Sequence, residues 1–377
     1  MSFEAPPPEV YHDCYVSPAV NFRLQDYTFE AKNCFLSHLR PNGGKIVHNE
    51  KQSEMMDISG CTTIEETSFY AGPLYPHFGH FLAESIHRLY ALSVFPELKG
   101  ATAYFHGVVR YGIMPWMYEI CDLLDIERSA IRLIDKPYHF RKLYAPKQAR
   151  SLASANFIPN YTKYFPAPVN WTRNGIIYMS RTKFDHNGGV ILGERIIEKA
   201  LQASGVRVIY PEDIGVRKTV AALRTTKAVI FSEGSSIHNV EAAGFQDCKV
   251  FMIGRRPMCR TRFEDVLASY FPQQEIYEDL KLLFSLDFVS GKISGKGCVV
   301  IDVHDCLSKI SAFCGITIPA PSDEELAACL REDVLRFMAS KNVVVGQPTA
   351  EEEEKRRSEI MNNPIIMKIM EGQRLEF

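Results

Sequence analysis

The sequence predicts an α/β protein of two domains followed by a helical extension, and three observations predict it. The chain has 377 residues, more than a single core of ordinary size takes up. Between Gly175 and Ile253 strand and helix patterns alternate as β-α-β-α-β-α-β, which right-handed crossovers turn into half of a doubly wound sheet. A similar alternation over Thr67 to Lys147 is set apart by residues 148–172, rich in Ser, Asn, Pro and Tyr, which read as a linker. The domains expected from this are 1–160 and 170–258, with the extension at 259–377. At 46% hydrophobic and 23% charged residues, the composition is that of an ordinary globular protein.

The first 55 residues show short apolar runs broken by turn formers such as Asn42-Gly43-Gly44, and read as irregular strands and loops. Thr67–Ala71 reads as a strand, and Pro76–Phe95 as one long helix that ends before Pro96. Ala101–Val109 follows as a strand, Met114–Leu124 as an amphipathic helix, and Ile131–Ile134 and Phe140–Tyr144 as short strands. In the second domain the strands are Ile176–Met179, Val206–Tyr210, Ala228–Phe231 and Val250–Ile253. The helices between them are Gly193–Ala203, stopped by Gly205, then Val216–Arg224, and Ser236–Ala243, stopped by Gly244. Beyond, Cys298–Val303 reads as a strand and His304–Phe313 and residues 322–340 as helices. Ala350–Glu371 is a charged helix whose run of four glutamates reads as a solvated face.

Composition removes several function classes. The net charge is −2, without the basic excess that nucleic-acid binding needs. The ten cysteines are scattered without a C-x-x-C pair, so they read as reduced core thiols and not as a zinc ribbon or a disulfide framework. The N-terminal stretch is polar and proline-rich and carries no apolar segment of signal or membrane-span length. A cytoplasmic protein is the expectation, and peripheral contact with the inner membrane is compatible with it.

The segment Pro76 to Arg88 is the most informative. On a helix each residue advances about 100°, which places His77, His80, Glu84 and His87 in one arc opposite Phe78, Phe81, Leu82, Ile86 and Leu89. Imidazole titrates near neutrality and suits general acid–base work, and a carboxylate one turn away can fix its tautomer. The bland alternative is a solvated polar face. A metal site built from His77, His80 and His87 is the sharper one, but H-E-x-x-H is absent and no further ligand cluster is in view.

A second constellation runs Val229 to Asn239, from a buried strand through Ser232-Glu233-Gly234-Ser235-Ser236 into a helix carrying His238 and Asn239. Free N–H groups at a helix start attract anions, and glycine allows close approach. The competing reading is plain helix capping by Ser235 or Ser236. P-loop and dinucleotide fingerprints are missing. Arg181 and Lys183 lie past the first strand of this domain, where two cations can neutralise a diphosphate. Glu212, just past the second strand, can accept from a ribose or base.

Together these segments resemble glycosyltransferase family 61. The resemblance rests on His77-Phe78-Gly79-His80-Phe81-Leu82-Ala83-Glu84 followed by Arg88-Leu89, on Tyr178-Met179-Ser180-Arg181, on Glu194, and on Gly234-Ser235-Ser236-Ile237-His238-Asn239, in that order over about residues 65–255. Gly193-Glu194 stands where the family often has Asn-Glu, and Asn187-Gly188-Gly189 where it often has basic residues.

The resemblance implies a GT-B architecture, two Rossmann-like domains facing across a cleft. It also implies inversion at the anomeric carbon and no essential divalent metal or other cofactor. Membership of this kind without a membrane anchor points to a bacterial-type enzyme of surface polysaccharide biosynthesis. The expected partners are a nucleotide sugar, with UDP suggested by family habit, and a glycan or lipid-linked acceptor. In this reading His80 is the base, with Glu84 orienting it or serving as the base itself, and His77 beside them. Arg181, Lys183, Glu212, Glu233, Gly234, Ser235, Ser236, His238 and Asn239 bind the donor. A metal-dependent hydrolase and a non-catalytic sugar-nucleotide-binding protein are the alternatives.

Overall fold

The structure is a computed structural model that describes residues 5–16, 18–23, 28–31, 46–48, 60–107, 111–151, 154–155, 173–183, 189–283, 286–287, 297–340, 344–345 and 347–375. Most of the expected linker at 148–172, the Asn42-Gly43-Gly44 turn, the end of the expected strand at Val108-Val109, Asn187-Gly188 and Cys34 lie outside the described residues. None of the nine described cysteines is in a disulfide. Among the described residues no helix is long and apolar enough to cross a membrane. The protein is mixed α/β with parallel sheets and divides into two compact units.

The first unit comprises Met1–Asn170 together with the segment His238–Phe245. Its main sheet is built from β1 (Glu9–Val16), β2 (Thr62–Ile64), β3 (Ser68–Pro73), β4 (Thr102–His106), β5 (Ile131–Leu133) and β6 (Tyr138–Ala145). The order is β1-β6-β3-β4-β5, with β2 also on β6; only the β1–β6 pair is antiparallel. β3 is buried at every position, as expected of a parallel strand covered on both faces. The chain runs outward from β3 to β4 to β5 and then returns to the other edge of β3 as β6. The carboxyl end of β3 is therefore a topological switch point.

The segment after β3 departs from the expected single helix over Pro76–Phe95. The chain forms α1 (Phe78–Ala83), a 3-10 turn at Ser85–Arg88 and α2 (Ala91–Val94). The break falls at Glu84, whose φ of −137° and ψ of −53° leave the helical region. The cause is burial. Every residue from Phe81 to Ala91 is buried, so there is no solvent face for the polar side chains. Each turns to its own partner instead: Ser85 Oγ accepts from the Tyr75 N–H, and Arg88 donates to the Pro146 carbonyl and to Gln148. Helix α3 (Pro115–Leu123) then connects β4 to β5 and starts with Pro115 at its first position.

The second unit comprises Trp171–Ile237 and Gln246–Phe377. Its five-stranded sheet is wholly parallel. The strands are β7 (Ile176–Met179), β9 (Arg207–Ile209), β10 (Ala228–Ser232), β11 (Lys249–Ile253) and β12 (Gln273–Tyr277), in the order β9-β7-β10-β11-β12. The first strand in sequence thus sits between the second and third, which puts the switch point between β7 and β10. The fifth strand comes from residues past the stretch that shows the clean alternation. A smaller sheet joins β8 (Val190–Leu192) to β14 (Cys298–Ile301) and β13 (Leu280–Leu283).

Helix α4 (Glu194–Ala203) starts at Gly193, held at a φ of +87° that only glycine adopts without strain. Helix α5 (Pro211–Thr225) starts earlier than expected, so Glu212 lies in its first turn, and it kinks at Gly215. The helix expected over Ser236–Ala243 is a 3-10 turn, Ser235–His238, followed by the five-residue α6 (Asn239–Ala243), which belongs to the first unit. Helices α7 (Cys259–Tyr270), α8 (Val303–Cys314) and α9 (Asp323–Ala339) come next. The single helix expected over Ala350–Glu371 is two, α10 (Ala350–Met361) and α11 (Pro364–Glu371). Pro364 cannot continue α10, and Asn363 caps the new start.

Candidate functional site

Two clusters of functional side chains stand at strand carboxyl ends, one in each unit. In the first unit the chain leaves β3 through Leu74 and Tyr75 and enters α1 at His77, whose Nδ1 accepts the His80 N–H at 3.5 Å. The His77 and His80 rings meet edge-on, 5.2 Å between centroids. His80 Nδ1 lies 2.6 Å from Glu84 Oε1, and both side chains are nearly buried. With Nδ1–H donated to the carboxylate, neutral His80 carries its lone pair on Nε2, and Glu84 is placed to stabilise the imidazolium that forms when Nε2 takes a proton. Burial, and then the neighbouring His80 and His238, push His77 down to about 4, so it is uncharged at neutral pH.

His87 does not join this group. The break at Glu84 turns it inward, and its Nε2 meets Glu241 Oε2 at 3.2 Å with both side chains fully buried. The stripe of four thus reduces to His77, His80 and Glu84, because the arc drawn for a straight helix ends at Ala83. Among the described residues no group of three or more His, Cys, Asp or Glu side chains is arranged to hold a metal ion. The three-histidine ligand set behind the hydrolase alternative does not converge.

His238 and Asn239, expected with the phosphate turn, fall in the first unit. His238 is one of the groups acting on His77 and lies 3.8 Å from Glu241; Asn239 is fully buried.

In the second unit the loops after β7, β10 and β11 bring three arginines together. Arg181 follows β7. Its backbone N–H donates to Glu194 Oε1, which also accepts from the Tyr178 hydroxyl. The flanking hydroxyls of Ser180 and Thr182 both donate to Glu198 Oε2, and Tyr210 donates to Glu198 Oε1. The Arg181 guanidinium lies against Gly234, where an added Cβ would fall 2.2 Å from its Nη1. That approach requires glycine.

Glu233 is completely buried and accepts from the Arg255 and Arg256 N–H groups and from Arg256 Nε. Arg255 Nε donates to the Glu233 carbonyl. Burial works to raise the Glu233 carboxyl, but Arg256 and Arg255 outweigh it and hold it below its usual range. Burial, then the like charges of Arg181 and Arg256, push Arg255 down to about 9, still cationic at neutral pH. Burial raises Glu194 against the bonds it accepts. Arg181, Arg255 and Arg256 thus converge beside the buried Glu194 and Glu233, and guanidiniums grouped in this way are suited to contact an anion.

The remaining expected donor residues divide. Lys183 donates to Asp213 Oδ2 at 2.6 Å and lies over the Tyr210 ring, half exposed, so its charge already has a partner. Glu212 is exposed and is one of the charges acting on Arg181. Ser235 and Ser236 are half-buried at the start of the 3-10 turn. With only that turn and five α-helical residues behind it, the macrodipole is short, and the arginines supply most of the positive potential.

Sequence reasoning missed Arg255, Arg256 and Glu198. The signal for the arginines is present: Gly254-Arg255-Arg256 directly follows the strand Val250–Ile253, one more carboxyl end of the same doubly wound sheet.

Residues 78–246 match the family model described as Glycosyltransferase 61. No curated protein matches the chain. The matched region runs from α1 through α6 and includes His80, Glu84, Arg181, Glu194 and Gly234, while Arg255, Arg256 and the helices from α7 onward lie outside it. The match supports glycosyltransferase activity, which in general takes a nucleotide-sugar donor and a glycan acceptor.

Proposed function

We propose that the protein is an inverting, metal-independent glycosyltransferase acting on a nucleoside diphosphate sugar. The observation that carries this reading is the grouping of Arg181, Arg255 and Arg256 around Glu233 and Gly234 at the switch point of a parallel sheet. A sugar nucleotide leaves as a diphosphate whose charge grows in the transition state, and fixed cations and N–H groups stabilise it where other transferases use a metal. Arg181, Arg255, Arg256 and the Gly234-Ser235-Ser236 turn serve the diphosphate; Glu194, Glu198 and Glu233 hold the loops that present them.

His80 is the base. Its Nε2 takes the acceptor hydroxyl proton as the hydroxyl oxygen bonds to the anomeric carbon from the face opposite the diphosphate. The bond from that carbon to the phosphate oxygen breaks, and its electrons leave with the nucleotide. Glu84 holds His80 in the required tautomer, and His77, uncharged at neutral pH, adds no competing cation beside the incipient imidazolium. The reading keeps the GT-B class, UDP as the nucleotide, and a cytoplasmic role in surface polysaccharide synthesis with a glycan or lipid-linked acceptor as its finer expectations.

The test is thermal shift with UDP, GDP and dTDP in EDTA, followed by turnover with the matching nucleotide sugars. Ligand at about 100 Kd stabilises by roughly 2.7 kcal/mol. One nucleotide is expected to give a shift that Arg181→Ala abolishes, and His80→Ala is expected to keep the shift while lowering kcat about 10²–10⁴-fold. Binding that needs added divalent metal, or no binding at all, overturns the proposal. Binding without turnover by the wild type on any donor assigns a non-catalytic sugar-nucleotide-binding protein instead.

A further inference from the structure

The helices beyond the family match touch the cluster at one point. Gly193 has no side chain with which to cap α4, and the group that takes its N–H comes from α9: Asp333 Oδ2 accepts it at 2.8 Å. Asp333 Oδ1 accepts from Arg195 Nε at 2.7 Å, so both carboxylate oxygens hold the first turn of α4. The Asp333 side chain is only 12% exposed. Around it the fit is tight, since a Cβ on Gly193 would lie 3.1 Å from Val303 and 3.3 Å from Leu330. A carboxylate at a helix N-terminus also interacts favourably with the macrodipole. The residue after Gly193 is Glu194, whose Oε1 holds the Arg181 N–H and the Tyr178 hydroxyl.

An unbroken chain of short bonds thus runs from α9 through Gly193 and Glu194 to the backbone of Arg181. We propose that Asp333 is a positioning residue of the anion site, and that α9 of the C-terminal region sets the seat of Arg181 through the start of α4. The consequence for nucleotide binding rests on the donor reading above; the mechanical link does not. Asp333 bonds to Gly193 and Arg195 and to none of Arg181, Arg255 and Arg256. It acts by fixing where Glu194 emerges from the helix start, and a shift of that start moves the Arg181 loop away from Gly234.

The experiment compares wild type with Asp333→Ala, Asp333→Asn and Glu332→Ala. Glu332 pairs with Arg195 Nη1 at the exposed edge and does not reach Gly193. Hydrogen exchange is read in the peptide spanning residues 178–183, with peptides over β3 and β10 as references for general loosening. Affinity is read by titration with whichever of UDP, GDP and dTDP the wild type binds.

Asp333→Ala is expected to speed exchange in 178–183 at least tenfold while the reference peptides keep their rates, and to weaken the nucleotide about tenfold. Asp333→Asn keeps an oxygen for the Gly193 N–H and is expected to restore both to within about threefold. Glu332→Ala is expected to change neither. Equal exchange in 178–183 in a folded Asp333→Ala protein overturns the link, as does acceleration that the reference peptides share, or Glu332→Ala matching Asp333→Ala. If the wild type binds none of the three nucleotides, the donor reading falls while the exchange data still judge Asp333.

Discussion

Both units seat an arginine on a glycine, and the two pairs are put to different use. In the first unit a Cβ on Gly72 would lie 2.4 Å from Arg88 Nη1; in the second, a Cβ on Gly234 would lie 2.2 Å from Arg181 Nη1. Arg88 is buried, donates to the Pro146 carbonyl and the Gln148 side chain, and stands over the Tyr70 ring. Among the described residues no carboxylate oxygen lies within 4.0 Å of it. It is a tie between the end of β3, the broken helix and the chain after β6. Arg181 sits instead in a field of charges that includes Glu194, Glu233, Arg256 and Glu212. The same local device is a structural bolt in one unit and, on the donor reading proposed above, a ligand contact in the other, and the surroundings distinguish them.

The comparison breaks if the two glycines respond alike. Gly72→Ala faces both an unfavourable φ of +88° and a collision with a buried guanidinium. It is expected to cost the first unit about 2–4 kcal/mol. Urea denaturation followed by Trp116 fluorescence measures this, because Trp116 packs 5.3 Å from both Phe78 and Phe81; a Trp171→Phe background removes the other tryptophan. Nucleotide affinity of the folded fraction is expected to stay within about twofold of wild type.

Gly234→Ala sharpens the contrast from the other side. Gly234 has no positive φ to protect, so the backbone accepts alanine and the Arg181 guanidinium is what must move. Displacing it removes charge-assisted contacts of about 1.5–3 kcal/mol, so nucleotide affinity is expected to fall roughly 10–100-fold. The urea midpoint read by Trp116 is expected to remain near that of wild type. A Gly234→Ala protein that binds nucleotide normally would remove Arg181 from the donor site.

These two glycines also mark how far the sequence could be read. The buried run Ala228–Phe231 and the stops at Gly205 and Gly244 are local signals, and the structure shows β10 there and both glycines at a φ of +79°. The alternation that predicts a parallel sheet is likewise local. What one-dimensional periodicity misses is a break inside a fully buried segment: with no polar face toward water from Phe81 to Ala91, the phase past Glu84 carries no information. It also misses partners. Nothing near Lys183 in the sequence shows that Asp213 will take its charge, and nothing near His87 points to Glu241. Arg255 and Arg256 read as surface cations until the fold places Glu233 beside them.

The difference between the units extends to pH. In the second cluster Arg255, pushed down to about 9, stays cationic at neutral pH, whereas the first contains His77, which burial, then His80 and His238, push down to about 4. The unfolded chain binds a proton on this histidine near its ordinary value of about 6.5, so between roughly pH 6.5 and 4 the unfolded state holds more protons than the folded one. Stability from this group is therefore complete above the unfolded value and declines as pH falls toward 4. Because His77 is partly exposed, solvent screening reduces the effect to about 1–2 kcal/mol. His77→Asn removes the titration while keeping a side chain able to cap α1. The wild type is expected to lose more stability than His77→Asn between pH 7.5 and pH 4.5, read at Trp116 in urea. Parallel losses in the two proteins would mean that His77 titrates as an exposed histidine does, and would remove the ground for treating the first site as a dry, neutral setting for His80.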